Sequence, residues 1–104
     1  MSEKLERLWD VLQKPRTMDI LLVIAEGNKK YTEIYNNLIV IGRIITMTTL
    51  KSRLDELKEV NLIGTQVYDR ERNYVKYIVT PLGSFVAEQI KIIYQKIEDR
   101  LNSG

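Results

Sequence analysis

The sequence predicts a mostly helical α+β domain, with five helices and a small two-stranded hairpin. Three observations carry this expectation. Apolar residues recur at three- and four-residue spacing in successive segments, the signature of amphipathic helices. One stretch, 63–80, instead alternates at period two around a charged tip. The Gly and Pro residues, Pro15, Gly27, Gly42, Gly64, Pro81, Gly83 and Gly104, fall at the boundaries of these segments.

Length and composition set the frame. The chain has 104 residues, 44% of them apolar and 29% charged, enough for one modest core and one domain spanning 1–104. It has no Cys and no His. Disulfides, thiolate zinc sites, imidazole ligands and Ser–His or Cys–His catalysis are therefore excluded, and no cofactor or metal is expected. The first residues alternate charged and apolar types without a long apolar run, so no secretory signal is expected. The runs Ile20–Ala25 and Leu38–Ile41 are too short to span a bilayer. A soluble cytoplasmic protein is the expectation.

The elements follow in order. Helix 3–14 places Leu5, Leu8, Trp9 and Leu12 on one face, and Pro15 ends it. Helix 17–26 carries Met18, Leu21, Leu22 and Ala25, and Gly27-Asn28 stops it. Lys29–Tyr31 is short and extended. Thr32 is read as the N-cap of a third helix whose inner side holds Ile34, Tyr35 and Leu38. Residues 38–45, with Gly42, form a connector. Thr46 caps the fourth helix, 46–60, whose stripe is Met47, Leu50, Leu54 and Leu57. Asn61 supplies a left-handed stop. Strands 63–68 and 74–80 flank a tip at 69–73. Pro81 opens the last helix, which runs to about Leu101 with Val86, Ile90, Ile93, Tyr94, Ile97 and Leu101 as its stripe.

A net charge of +2 conceals an uneven distribution. Residues 28–53 hold Lys29, Lys30, Arg43, Lys51 and Arg53 against Glu33 alone, and residues 54–67 are net acidic. A central cluster of positive charge is the footprint of an anionic partner. On the fourth helix Thr48 and Ser52 point opposite the buried stripe, with Thr49 beside them. Asp55, Glu56 and Glu59 take the outer face farther along, so only the first two turns are expected to approach a phosphate backbone. Arg70 and Arg72 stand two apart on the hairpin tip, where Arg suits phosphate or a narrow minor groove.

Three helices followed by a hairpin is the order of a winged helix-turn-helix. From Pro15 to Phe85 the chain resembles archaeal and bacterial winged-helix transcription regulators. The stretch KPRTMDILLVIAEGNKKYTEI is similar to the opening helices of the ArsR-like and MarR-like groups. The stretch TMTTLKSRLDELKEVNLIGTQVYDRERNYVKYIVTPLGSFV resembles the recognition helix and wing of the HxlR-like, MarR-like and PadR-like groups. Met18 and the stretch Arg70–Asn73 stand where an HxlR-like protein usually has a Trp and a Pro pair. The ligands of an ArsR-like metal sensor are absent.

The resemblance implies sequence-specific binding of double-stranded DNA and transcriptional control. The DNA-binding core is then 16–80, with recognition helix 46–60 in the major groove and wing 68–74 on the adjacent minor groove or backbone. Thr46, Thr48, Thr49, Ser52 and Arg53 would meet the major groove. Lys29, Lys30, Arg43 and Lys51 would serve phosphates, and Arg70 and Arg72 the wing. The flanking helices 1–14 and 81–102 are expected to build a homodimer through Leu5, Leu8, Trp9, Leu12, Ile90, Ile93, Tyr94, Ile97 and Leu101. Twofold symmetry would match a palindromic operator. A small-molecule effector could sit between the dimer helices and the core, and no residue points to a particular ligand. The alternative is a winged-helix protein-interaction module without DNA binding. An enzyme is not expected, because Asp55, Glu56 and Glu59 on a solvent face have no cleft to shift their pKa values.

Overall fold

The computed structural model describes residues 2–103. Ser2 caps the first helix, α1 (Glu3–Leu12), by accepting a hydrogen bond from the Leu5 amide at 3.1 Å. Pro15 follows, and Arg16 adopts a left-handed conformation (φ 70°) that turns the chain into α2 (Thr17–Ala25). Both helices end a residue or two before their expected limits, within the usual fraying of helix ends. Helix α2 is the most buried element. Ile20, Leu21, Val23 and Ile24 are all buried, and Met18, Leu22 and Ala25 are packed against the core from its margins. It touches α1, α3 (Tyr31–Val40), α4 (Met47–Glu59) and α5 (Pro81–Ser103) in turn.

The start of α3 corrects the expected cap. Lys30, not Thr32, occupies the cap position, and the Glu33 carboxylate reaches back to accept from the Lys30 amide at 2.8 Å. Thr32 lies inside the first turn. Ile34 and Leu38 enter the core. The helix closes on Gly42, whose φ of 78° lets the Arg43 amide return to the Leu38 carbonyl at 2.8 Å. This satisfies a terminal carbonyl in a geometry that Gly adopts without steric cost. The connector to α4 is thus 41–46.

Helix α4 begins as expected. Thr46 Oγ1 accepts from the Thr49 amide at 3.1 Å. Leu50, Leu54 and Leu57 are fully buried, but Met47 is 47% exposed and does not belong to their stripe. Asn61 takes the left-handed conformation (φ 62°), and the Leu62 amide bonds back to the Leu57 carbonyl at 3.0 Å.

The sheet has three strands rather than the two expected. Strands β2 (Ile63–Asp69) and β3 (Tyr74–Val79) form the hairpin, and β1 (Lys29–Lys30) pairs antiparallel on the other edge of β3, opposite Tyr77 and Lys76. A two-residue strand is too short to show alternation, so only its distant partner reveals it. The hairpin register breaks between Val67 and Asp69. Tyr68 is the extra residue there, and a bulge of this kind re-aims its side chain.

Helix α5 is joined tightly to the end of α4. Thr80 Oγ1 accepts from the Gly83 amide at 2.9 Å and donates to the Asn61 carbonyl at 2.6 Å. The Thr80 amide donates to the Leu62 carbonyl at 3.1 Å. A Cβ on Gly83 would lie 1.8 Å from that carbonyl oxygen, so only Gly permits this approach. The core draws on both flanking helices: Val11 and Leu12 from α1, and Ala87 and Ile90 from α5, join the residues of α2, α3 and α4. From Lys91 onward every described residue of α5 is exposed. Among the described residues, no helix is long and apolar enough to cross a membrane.

Candidate nucleic-acid interface

The first two turns of α4 stand at the surface. Thr46, Met47, Thr48, Lys51 and Ser52 are exposed, and Thr49 is half-buried. Thr49 also spends its hydroxyl locally, at 2.8 Å from Thr46 Oγ1. Tyr31 braces the same end. Its hydroxyl donates to the Met47 carbonyl at 2.8 Å, and burial raises its pKa, so it keeps that proton at neutral pH. Lys51 lies across from Asp55 at 3.0 Å, and this hydrogen bond raises the lysine pKa and keeps it charged.

The wing stands beside this helix. A groove of about 590 Å³ separates them, bordered by Lys30, Tyr31 and Lys51 on one side and by Tyr68 and Tyr74 on the other. The bulge at Tyr68 places its ring beneath two ammonium groups, Lys30 Nζ at 4.9 Å and Lys76 Nζ at 5.6 Å. Cation–π attraction of this kind fixes long side chains that would otherwise sweep through solvent. Tyr74 packs at 5.9 Å from Tyr68 and lies 6.0 Å from the Arg72 guanidinium. Asp69 holds the tip by accepting from the Arg72 amide at 3.2 Å. Asn73 closes the turn with φ 54°. Arg70 is exposed and makes no ion pair with the described residues.

Some expected residues lie elsewhere. Arg53 turns away from the groove: Nε donates to the Pro15 carbonyl at 3.0 Å and a terminal nitrogen to Glu56 at 2.9 Å, leaving the side chain 17% exposed. Glu56 also takes Lys14, and Glu59 takes Arg7 at 2.6 Å. Burial raises the Glu56 pKa, but hydrogen bonds and charge from Lys14 and Arg53 outweigh it and hold the carboxyl below its ordinary range. So Glu56 and Glu59 are not a free outer face. They fasten the far half of α4 to α1 and to the turn that follows it. Lys29 faces opposite to Lys30, as successive strand residues must, and its Nζ lies near Gly27. Arg43, within the connector, sits 3.6 Å from Asp19 of α2. The sequence reading missed Lys76, Tyr68 and Tyr74, whose meeting depends on the bulge and on β1.

The flanking helices present the second surface. Leu12 and Ile90 are buried in the core and Leu8 packs against it. Leu5, Trp9, Phe85, Ile93, Tyr94, Ile97 and Leu101 are exposed. An apolar groove of about 370 Å³ runs between α1 and α5, bordered by Trp9, Met18, Phe85 and Ile93.

A capped helix following a tight turn, with a hairpin beside it, defines this chain as a winged helix-turn-helix protein. Residues 11–103 match the HxlR-like helix-turn-helix family, and the chain belongs to that family. It is 36% identical over 81 residues to an uncharacterized HTH-type transcriptional regulator of Methanocaldococcus jannaschii, covering 78% of this chain and 70% of that one. Among solved structures, a possible HxlR family transcriptional factor from Thermoplasma volcanium shares the fold at TM-score 0.74 and 21% identity, over 93% of this chain and 83% of that chain. The homodimeric winged helix-turn-helix DNA-binding domain of Mb0332 from Mycobacterium bovis, a possible ArsR-family regulator, gives TM-score 0.69 at 19% identity, over 98% and 85%.

Proposed function

We propose that this protein is a sequence-specific DNA-binding transcriptional regulator that acts as a homodimer in the cytoplasm. The observation that carries the proposal is the juxtaposition of the exposed α4 N-terminal turns and Lys30 of β1 with a wing bearing Lys76, Arg70 and Arg72. A helix of this width enters the major groove, and its first turns reach base edges. Thr46, Met47, Thr48 and Ser52 meet the bases. Lys30, Lys51 and Lys76 meet phosphates. Arg70 and Arg72 take the adjacent minor groove or backbone. Arg53 has a structural part and leaves the contact set, and Lys29, Arg43 and Thr49 stand at its edge. Membership in a family of helix-turn-helix regulators and the name of the 36% identical relative support this reading.

The dimer rests on the exposed apolar side chains of α1 and α5. Tyr94 reaches Met18 Sδ at 3.8 Å, and beyond it every described residue of α5 is exposed, Ile97 by 52% and Leu101 by 76%. Apolar patches of this extent on one face mark an interface. A second copy related by a twofold axis would cover both helices and set two α4 helices on a palindromic site.

Sedimentation of the purified chain with fluorescent duplexes at two salt concentrations tests the reading. A dimer that binds duplex at low salt and releases it at high salt is the expected result, since each neutralised phosphate releases counterions. A dimer indifferent to every duplex at low salt would overturn it.

A further inference from the structure

The groups that α4 presents are unusual for a reading helix, and they restrict what it can read. Hydrogen-bonded recognition of guanine favours Arg or Lys, and recognition of adenine favours Asn or Gln, each bridging two atoms of one base. Helix α4 contains neither Asn nor Gln. Its one Arg, Arg53, is committed to the Pro15 carbonyl and Glu56. Lys51, paired with Asp55 at 3.0 Å, is the side chain proposed above for phosphate rather than for a base. The exposed groups at the leading end are therefore methyls and hydroxyls. Met47 is 47% exposed, Ile44 just ahead of the cap is 81% exposed, and Thr48 and Ser52 face outward. A half-exposed thioether and an exposed aliphatic chain thus bracket the helix cap. The major groove offers one apolar group, the 5-methyl of thymine.

Resting on the DNA-binding reading, we propose that α4 selects thymine by its 5-methyl group, through the Met47 side chain and the Thr48 γ-methyl. Specificity then comes as a preference for A·T pairs under the first turn of α4, with hydroxyls rather than forked donors completing the contacts. Arg70, exposed at the wing tip, favours the same class of site, because A·T tracts narrow the minor groove and draw Arg into it.

The test uses the full chain and a duplex recovered from a random pool by repeated selection. That duplex is then synthesised with thymidine or with deoxyuridine throughout. Uracil lacks only the methyl in the major groove and leaves phosphates and minor groove unchanged, so the wing contacts are common to both duplexes. Binding weakens about fourfold for each methyl contacted. Met47→Ala and Thr48→Ser, both at exposed positions, bind the thymidine duplex more weakly and narrow the difference between the two duplexes. Equal affinity for both duplexes, or a recovered site with G·C pairs and no thymine under α4, overturns the inference while leaving DNA binding intact. Failure to recover any duplex overturns the DNA-binding reading and this inference with it.

Discussion

At Gly83 a single hydrogen atom decides whether α5 can sit on the end of α4. A Cβ there would fall 1.8 Å from the Leu62 carbonyl oxygen, and the obstacle is backbone, which cannot rotate away. Gly83→Ala is expected to cost about 3 kcal/mol or more, read as a fall in denaturation midpoint. Thr17 poses the opposite case. It is fully buried, and its hydroxyl has no hydrogen-bond partner among the described residues. Thr17→Val removes a desolvated polar atom at nearly constant volume and should leave stability unchanged or raise it by up to about 1 kcal/mol. A clear loss in thermal melts would show that the hydroxyl has a partner. Glu56 makes stability depend on pH. Its folded pKa is below its ordinary value of 4.5, so its contribution is fully present above that value. The contribution is lost as pH falls through the folded pKa. Glu56→Gln should therefore be less stable than the parent at pH 7, with the gap closing as pH falls below 4.5 and through the folded pKa. A gap that does not change with pH would refute this account.

Among the elements, α2, α4 and α5 were the most legible from sequence, because long helices repeat their apolar spacing and close with recognisable residues. Thr46, Asn61 and Pro81 all stand at the ends where their chemistry places them. The extended character of Lys29–Lys30 was legible, but its place in the sheet was not, since two residues carry no period and the partner lies more than forty positions away. The face of Arg53 was misplaced for a related reason. Helical geometry puts it beside the buried stripe, but only the folded path of residues 14–16 supplies the carbonyl and the carboxylate that hold it. On the wing, periodicity located Arg70 and Arg72 but could not separate them. Arg72 is tied to Asp69 and lies over Tyr74, whereas Arg70 makes no ion pair with the described residues. Arg70→Ala is expected to weaken duplex binding and to lower the slope of log affinity against log salt by about one. Lys76→Ala should do the same while leaving base preference unchanged. Titrations at several salt concentrations would check both slopes, and an unchanged slope would remove that side chain from the contact set.

For the molecule as a whole, the division into a core at 16–80 and two appended helices does not describe how it is held together. Val11, Leu12, Ala87 and Ile90 belong to the same buried cluster as the residues of α2 and α4. Removing either flanking helix should therefore destabilise the reading unit as well as any dimer. A more selective change acts on the exposed half of α5. Ile97→Asp touches nothing in the core and is expected to give a monomer that keeps its helical content. That monomer should bind a palindromic duplex far more weakly than the parent. Sedimentation equilibrium and circular dichroism together distinguish this from unfolding, and a variant that stays dimeric would place the interface elsewhere.

The clasp formed by Thr80, Asn61, Leu62 and Gly83 has a mechanical meaning as well. It welds α5 to the helix proposed to read DNA, leaving no slack between them. With 23 residues, α5 is a lever about 34 Å long. A tilt of about 10° at the far end of such a lever sweeps about 6 Å, close to two base-pair steps. In a dimer gripped along α5, the two reading heads would behave as the jaws of a caliper. The gauge of that caliper is set where one missing side chain lets two backbones meet.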